Sequence, residues 1–165
     1  MADLEQTETD PAIQLWDKLD EMDFVMLGSP KSSEHMQPMT PFVDRESGAI
    51  WFYVKTSNDL VAAVAHSDAC VHLCAVASDY QACVKGNLVL EKNASVIERF
   101  WRPSVAAWFE GGKTDPMLTM LRFQPAEAAI WAKSGNPFKV AWENMRARLK
   151  DHTPNIGTTA AVDLE

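Results

Sequence analysis

The chemistry-bearing residues of this chain concentrate in the stretch Trp51-Phe52-Tyr53-Val54-Lys55-Thr56-Ser57-Asn58-Asp59-Leu60. Aromatic, strand-favouring residues give way to a cation, two hydroxyls and an amide just where a short helix is expected to start, over 60–65. A helix N-terminus presents free N–H donors and the positive end of a dipole, and Lys55, Thr56 and Ser57 add donors suited to a phosphate. Asp59 points the other way, because a carboxylate there can itself cap the helix and would repel a phosphate. On these residues alone, bound phosphate and plain capping both stay open.

Other constellations carry less. Cys70, His72 and Cys74, with His66 nearby, resemble metal ligands in composition. On a strand, however, alternate residues stand roughly 6.5–7 Å apart, so one ion with bonds of about 2.0–2.3 Å cannot hold all three. Buried thiols and no metal are the expectation. Glu110-Gly111-Gly112-Lys113-Thr114 lacks the earlier glycine of a nucleotide-binding loop, with Ala107 in its place, and reads as a helix end capped by glycine. His35 is either a ligand contact or a surface residue. The six tryptophans are suited equally to stacking on a planar ring and to packing. No side chain stands out as a catalytic acid or base.

The elements that must position these residues follow from periodicity. Asp10-Pro11 predicts a helix start, with Ile13, Trp16, Leu19 and Met22 sharing one face. Strands are predicted over 24–27, 36–43 and 49–54, the last two as a hairpin, and over 69–77 and 80–91 around a turn at Ser78-Asp79. A capping-box spacing at Ser95 predicts a helix running to Gly111-Gly112, kinked at Pro103. Strands over 118–123 and 128–132 and a helix over 138–149 complete the order. Consecutive strands are joined too tightly for parallel crossovers, so the fold class is mainly β with flanking helices, an antiparallel sheet curled into a barrel.

The 165 residues predict a single domain, with residues 1–9 and 151–165 flexible. A hydrophobic share of 47% against 23% charged is globular composition and argues against disorder. Eight acids and one base crowd into residues 1–23, whereas the remainder is almost neutral and offers no basic face for a nucleic acid. No apolar run reaches the length of a membrane span, and the acidic start is unlike a signal peptide, so a cytoplasmic protein with reduced cysteines is expected.

Gln37-Pro38-Met39-Thr40-Pro41, Gly48-Ala49-Ile50-Trp51-Phe52-Tyr53, Phe100-Trp101-Arg102-Pro103 with Ala107-Trp108-Phe109, and Gly111-Gly112-Lys113-Thr114-Asp115-Pro116 together resemble one family over about residues 10–150. It is the general stress protein branch of the pyridoxamine 5′-phosphate oxidase-like proteins. The resemblance implies a split β-barrel homodimer with FMN at the subunit interface. It implies a flavin-dependent oxidoreductase with a small-molecule redox partner, or, as the alternative, a non-catalytic protein that binds or sequesters flavin. Carried over by position, Met36, Gln37, Pro38 and Met39 flank the ring system, and Trp51, Phe52, Tyr53 and Val54 line the cleft. Lys55, Thr56, Ser57, Asn58 and Leu60 surround the phosphate, and Trp108 or Trp131 closes the site from the partner chain. Two departures stand out: Gln37 occupies a place where relatives often carry Arg, and Val54-Lys55-Thr56 one where Thr-x-Lys or Thr-Ser-Lys is common. They weaken a phosphate site, with Lys55 positioned to substitute. The Arg-x-His arrangement of the pyridoxamine oxidases proper is not found near the C-terminus.

Overall fold

In the computed structural model, which describes residues 2–30, 34–65, 69–134 and 157–164, two aspartates start the first two helices. The Asp3 carboxylate accepts from the Glu5 and Gln6 N–H groups to open α1 (Leu4–Thr9). The Asp10 carboxylate accepts from Ile13 N–H ahead of Pro11 to open α2 (Pro11–Asp20). Residues 2–9 are therefore structured, contrary to the reading of a flexible start. The physical reason is a buried polar link: Thr7 Oγ1 donates to Gln14 Oε1 at 2.6 Å and Gln14 Nε2 donates to the Asp3 carbonyl at 2.7 Å. The same link turns α2. Gln14, Leu15 and Leu19 face inward and Ile13 is 51% exposed, so the predicted apolar stripe is rotated.

Eight strands are found among the described residues: β1 (Val25–Gly28), β2 (Gln37–Met39), β3 (Phe42–Asp44), β4 (Ala49–Lys55), β5 (Ala69–Val76), β6 (Tyr80–Leu90), β7 (Leu118–Lys133) and β8 (Gly157–Asp163). Every pairing is antiparallel, in the order β2-β1-β5-β6-β7-β4-β3, with β8 added on β7. The segment expected as one strand over 36–43 is broken at Thr40-Pro41, since proline has no N–H to give to a ladder. Its halves pair at opposite ends of the sheet, β2 with β1 and β3 with β4. Two residues can join the two outermost strands only if the sheet curls, and this is the split barrel.

The two strands expected over 118–123 and 128–132 are a single one. β7 pairs with β6 along one edge throughout, while its other edge pairs first with β4 and then with β8. Pro125 sits between the two partner strands, opposite Gly86 at a register shift, where a missing N–H costs least. β8 falls within the tail expected to be flexible and is ordered by its ladder to Glu127–Lys133.

The helix predicted from Ser95 is also divided, into α4 (Ala94–Phe100) and α5 (Pro103–Ala106), after the short helix α3 (Asp59–Val64). Pro103 forces Arg102 into an extended conformation and then starts α5 itself, and Asn93 rather than Ser95 caps α4. The helix expected over 138–149 lies outside the described residues. One apolar core fills the barrel with Leu27, Ile50, Phe52, Leu73, Val84, Leu88, Phe123 and Ile130. A second, built from Phe42, Trp51, Ile97, Val105, Phe109 and Met120, fixes α4 and α5 to the sheet.

Candidate functional site

A cleft of about 610 Å³ opens where β2, β3, the end of β4, the start of α3 and α5 converge. Its walls are mostly apolar: Pro38, Met39, Phe42, Tyr53, Val54, Val105, Trp108 and Phe109. Its polar groups come chiefly from Lys55, Ser57, Asn58 and Asp59, with Thr40 and Ser104 added. The volume lies within the range of small-molecule sites.

The apolar walls are held by aromatic packing, edge-on for the first two pairs and tilted for the third. Phe42 meets Tyr53 with ring centroids 5.0 Å apart, Tyr53 meets Trp101 at 5.9 Å, and Trp101 meets Phe109 at 6.4 Å. The Arg102 guanidinium lies 4.6 Å over the Phe42 ring. Tyr53 donates its hydroxyl to the Ile97 carbonyl at 2.8 Å. Burial, which outweighs the nearby Arg102 charge, pushes that hydroxyl up to about 12, so it is neutral at physiological pH and already committed as a donor.

Asn58 organises the polar end. Its Oδ1 accepts from Leu60 N–H at 2.9 Å, which makes it the N-cap of α3, and its Nδ2 donates to Gln37 Oε1 at 2.9 Å. Asn58 therefore caps where Asp59 was the candidate, and Asp59, in the first turn of α3, lines the cleft with Lys55 and Ser57. Among the described residues Lys55 forms no ion pair within 4 Å and Ser57 has no side-chain hydrogen bond. The Gly111-Gly112-Lys113-Thr114-Asp115-Pro116 segment winds through one 3-10 turn over Gly112–Thr114, with Gly112 at φ +64°. The Asp115 carboxylate accepts from Gly111 N–H at 2.9 Å and from Met117 N–H at 2.8 Å, and these two bonds hold it below the usual carboxylate range. Lys113 is engaged by Glu98 at 2.6 Å.

The expected site residues divide accordingly. Pro38, Met39, Tyr53, Val54, Lys55, Ser57, Asn58 and Trp108 come together in the cleft. Trp51 and Phe52 do not, because β4 is covered on both faces and they fill the two cores. Leu60 is buried in the barrel core, and Met36 packs over the backbone of Gly28. Gln37 faces Asn58, and the Thr56 hydroxyl is turned to Met117 Sδ at 3.6 Å. The expectation missed Thr40, Phe42, Asp59, Ser104, Val105 and Phe109 as lining residues. Of these, Thr40 and Phe109 were signalled by lying inside recognisable sequence words, whereas Ser104 and Val105 reach the cleft only because Pro103 restarts a helix there.

Among the described residues no three His, Cys, Asp or Glu side chains converge as a metal site, and no helix is long and apolar enough to cross a membrane. Cys70, His72 and Cys74 lie along β5 in alternate positions, and Trp131 belongs to a second groove that it lines with His72, Cys83, Lys85 and Glu127.

An antiparallel split barrel with a cleft at its closing edge defines a class of protein, and comparison places the chain within it. Residues 10–155 match the family described as pyridoxamine 5′-phosphate oxidase like, and the chain belongs to that family, in its general stress protein branch. It is similar to the general stress FMN/FAD binding protein of the phytopathogen Xanthomonas citri, at 34% identity over 74% of this chain and 89% of that one, with a TM-score of 0.68. A Jannaschia sp. CCS1 protein assigned to general stress protein 26 is 30% identical over 93% of this chain and 98% of its own, with a TM-score of 0.81. A Xanthomonas campestris pv. campestris protein assigned to the general stress family is 33% identical over 82% and 93%, with a TM-score of 0.69. No functionally curated protein matches the chain.

Proposed function

We propose that this chain binds FMN in the cleft and acts as a flavin-dependent oxidoreductase linked to general stress. In this reading it is a cytoplasmic homodimer of single split-barrel domains, with the flavin at the subunit interface. The observation that carries the reading is the cleft's division into an apolar, aromatic wall and a polar end where, among the described residues, Lys55 forms no ion pair within 4 Å and the Ser57 side chain no hydrogen bond. Flat heteroaromatic rings fit the first and a phosphate ester the second. Similarity to the FMN/FAD binding protein of X. citri supports the same choice.

In this reading Met39, Tyr53, Val54 and Trp108 hold the ring, and Lys55, Ser57 and the Asn58 amide hold the phosphate. Asp59 opposes a second negative charge and lowers the affinity for a dianion. The flavin, when bound, supplies the hydride or electron transfer with a small-molecule partner, and the protein orients it and excludes water. One observation favours a second reading, a flavin-binding protein without turnover. Among the described residues lining the cleft there is no histidine, and the tyrosine is held neutral and hydrogen-bonded, so neither of these residue types is poised there to move a proton.

The test is a visible absorption spectrum of the freshly purified protein, with the released ligand identified by mass spectrometry. A stoichiometric FMN spectrum is expected, and a colourless protein that takes up no added FMN would overturn the cofactor assignment. Reduction by NADH or NADPH followed by reoxidation with an acceptor then separates the two readings. Absence of turnover across a panel of donors leaves the binding protein.

A further inference from the structure

The outer face of the barrel carries a pair of thiols that the cleft does not use. The β5–β6 register sets Cys74 directly opposite Cys83, with their sulfurs 3.8 Å apart. At the hairpin, Ala77 N–H donates to the Tyr80 carbonyl at 2.8 Å, which makes 77/80 a hydrogen-bonded pair. Three residues further along, Cys74 and Cys83 therefore form a non-hydrogen-bonded pair. Such pairs have Cα atoms about 4.5 Å apart and side chains leaning together. That separation falls inside the roughly 4.4–6.8 Å spanned by disulfides, so side-chain rotation is enough to join the sulfurs and the strands need not move.

We propose that Cys74 and Cys83 are a redox-reversible pair that closes into a cross-strand disulfide on exposure to hydrogen peroxide. Access is provided by a groove of about 710 Å³ on the same face. Cys83 lines it together with His72, Lys85, Glu127 and Trp131, and Cys74 does not. Lys85 is ion-paired with Glu127 at 2.9 Å, and His72 lies opposite Lys85, so Cys83 borders a polar ladder through which a small polar oxidant can approach. The Cys74 thiol donates toward the Cys83 sulfur. Burial and the adjacent Cys83 push Cys74 up to about 11, and Cys83, which borders the groove where Cys74 does not, is the sulfur that meets the oxidant.

The chemistry balances with peroxide alone. The Cys83 sulfur attacks the O–O bond, becomes a sulfenic acid and releases one water. The Cys74 sulfur then attacks the Cys83 sulfur, the S–S bond forms as the S–O bond breaks, and the two protons leave with the second water. Two electrons pass from the sulfurs to the peroxide. Cys70 lies on β5 opposite Asn87, about 13 Å along the strand from Cys74, and serves as an internal control.

The experiment treats the purified full-length protein with hydrogen peroxide, denatures it in excess N-ethylmaleimide and reads the intact mass. Expected are a chain about 2 Da lighter before alkylation, one maleimide where the untreated chain with its three cysteines takes three, and recovery of all three after reduction. Peptide mapping should join the β5 and β6 peptides within one chain. In Cys74→Ser the sulfenic acid on Cys83 should persist and be captured by dimedone, while Cys70→Ser should keep the full mass loss. Three maleimides after treatment, a Cys83 sulfinic acid in the wild-type chain without a disulfide, or a crosslink between two chains would each overturn the proposal.

Discussion

Asn58 Nδ2 donates to Gln37 Oε1 across 2.9 Å, which ties the N-cap of α3 to the edge strand β2. One amide thus performs two tasks, because its oxygen caps the helix while its nitrogen fixes the strand that forms one wall of the cleft. Asn58→Ala should cost about 0.5–2 kcal/mol for the cap and a further ~1 kcal/mol for the bridge. Gln37→Ala should cost only the bridge. In a urea-unfolding double-mutant cycle the two substitutions should be less than additive by about the bridge energy; strict additivity would show that the link contributes nothing.

Affinity for FMN should follow Lys55 and Ser57 and ignore Thr56, whose hydroxyl is turned to Met117. Lys55→Ala should weaken FMN by about 1.5–3 kcal/mol, the range of a charge-assisted bond. Ser57→Ala should weaken it less, Thr56→Ala should leave it unchanged, and Asp59→Asn should strengthen it. Riboflavin, which lacks the phosphate, should bind all four variants nearly alike. Fluorescence titration with both ligands checks this, and equal losses for riboflavin would move the phosphate site elsewhere.

Trp108 lies on the rim of the cleft and is 72% exposed. Trp108→Ala should leave the unfolding midpoint nearly unchanged, because little packing is lost. Flavin dissociation should quicken about two- to tenfold, equivalent to ~0.5–1.5 kcal/mol of stacking. A drop in stability with no change in flavin release would mean that the indole serves the fold alone.

Asp44 is buried beside Arg99, with which it forms an ion pair. Burial by itself would raise its carboxyl, but the Ser47 hydrogen bond and the Arg99 guanidinium outweigh burial and hold the group below its ordinary 3.8. A carboxyl lowered in the folded chain stabilises it above the unfolded value, and that stability is lost as pH falls through the folded one. Asp44→Asn should therefore be less stable than the parent by a constant margin from neutral pH down to about 5, a margin that narrows below about pH 4. Urea titrations from pH 7 to pH 3 measure the margin, and one that stays unchanged at the acid end would place the pH dependence on other groups.

Gly86 faces Pro125 at the register shift, and a Cβ there would stand 2.2 Å from the Gln124 carbonyl oxygen and 2.7 Å from the Phe123 ring. The backbone oxygen cannot yield as a flexible side chain would. Gly86→Ala should cost about 1–3 kcal/mol or more through overpacking. Thermal unfolding reads this directly, and a neutral substitution would show that β6 and β7 can separate at that point.

Alternation and turn chemistry made much of the architecture legible. Strands at β1, β4, β5 and β6 and the antiparallel class follow from local patterns, and Lys55, Ser57 and Asn58 were recognisable as the polar end of a site because their types change abruptly after an aromatic strand. The misreadings share a physical origin. Thr40-Pro41 looked like the middle of a strand, and the prediction could not register that its two halves pair at opposite sheet edges. Leu118–Lys133 looked like two strands because Pro125 interrupts the pattern, while the partner strand β6 carries it through.

The sequence by itself determined that this protein is a mainly β chain with flanking helices, a nearly neutral body after its acidic start, an antiparallel sheet and the words of its family, because those properties reside in composition, period and short motifs. Only the tertiary structure decided which residues face the cleft. Trp51 and Phe52 are lost to it because β4 is covered on both faces, Thr56 because its hydroxyl turns to Met117, and Cys74 meets Cys83 because the hairpin register sets them opposite. These are relations between segments distant in sequence or fixed by strand register, and no local pattern of residues specifies them.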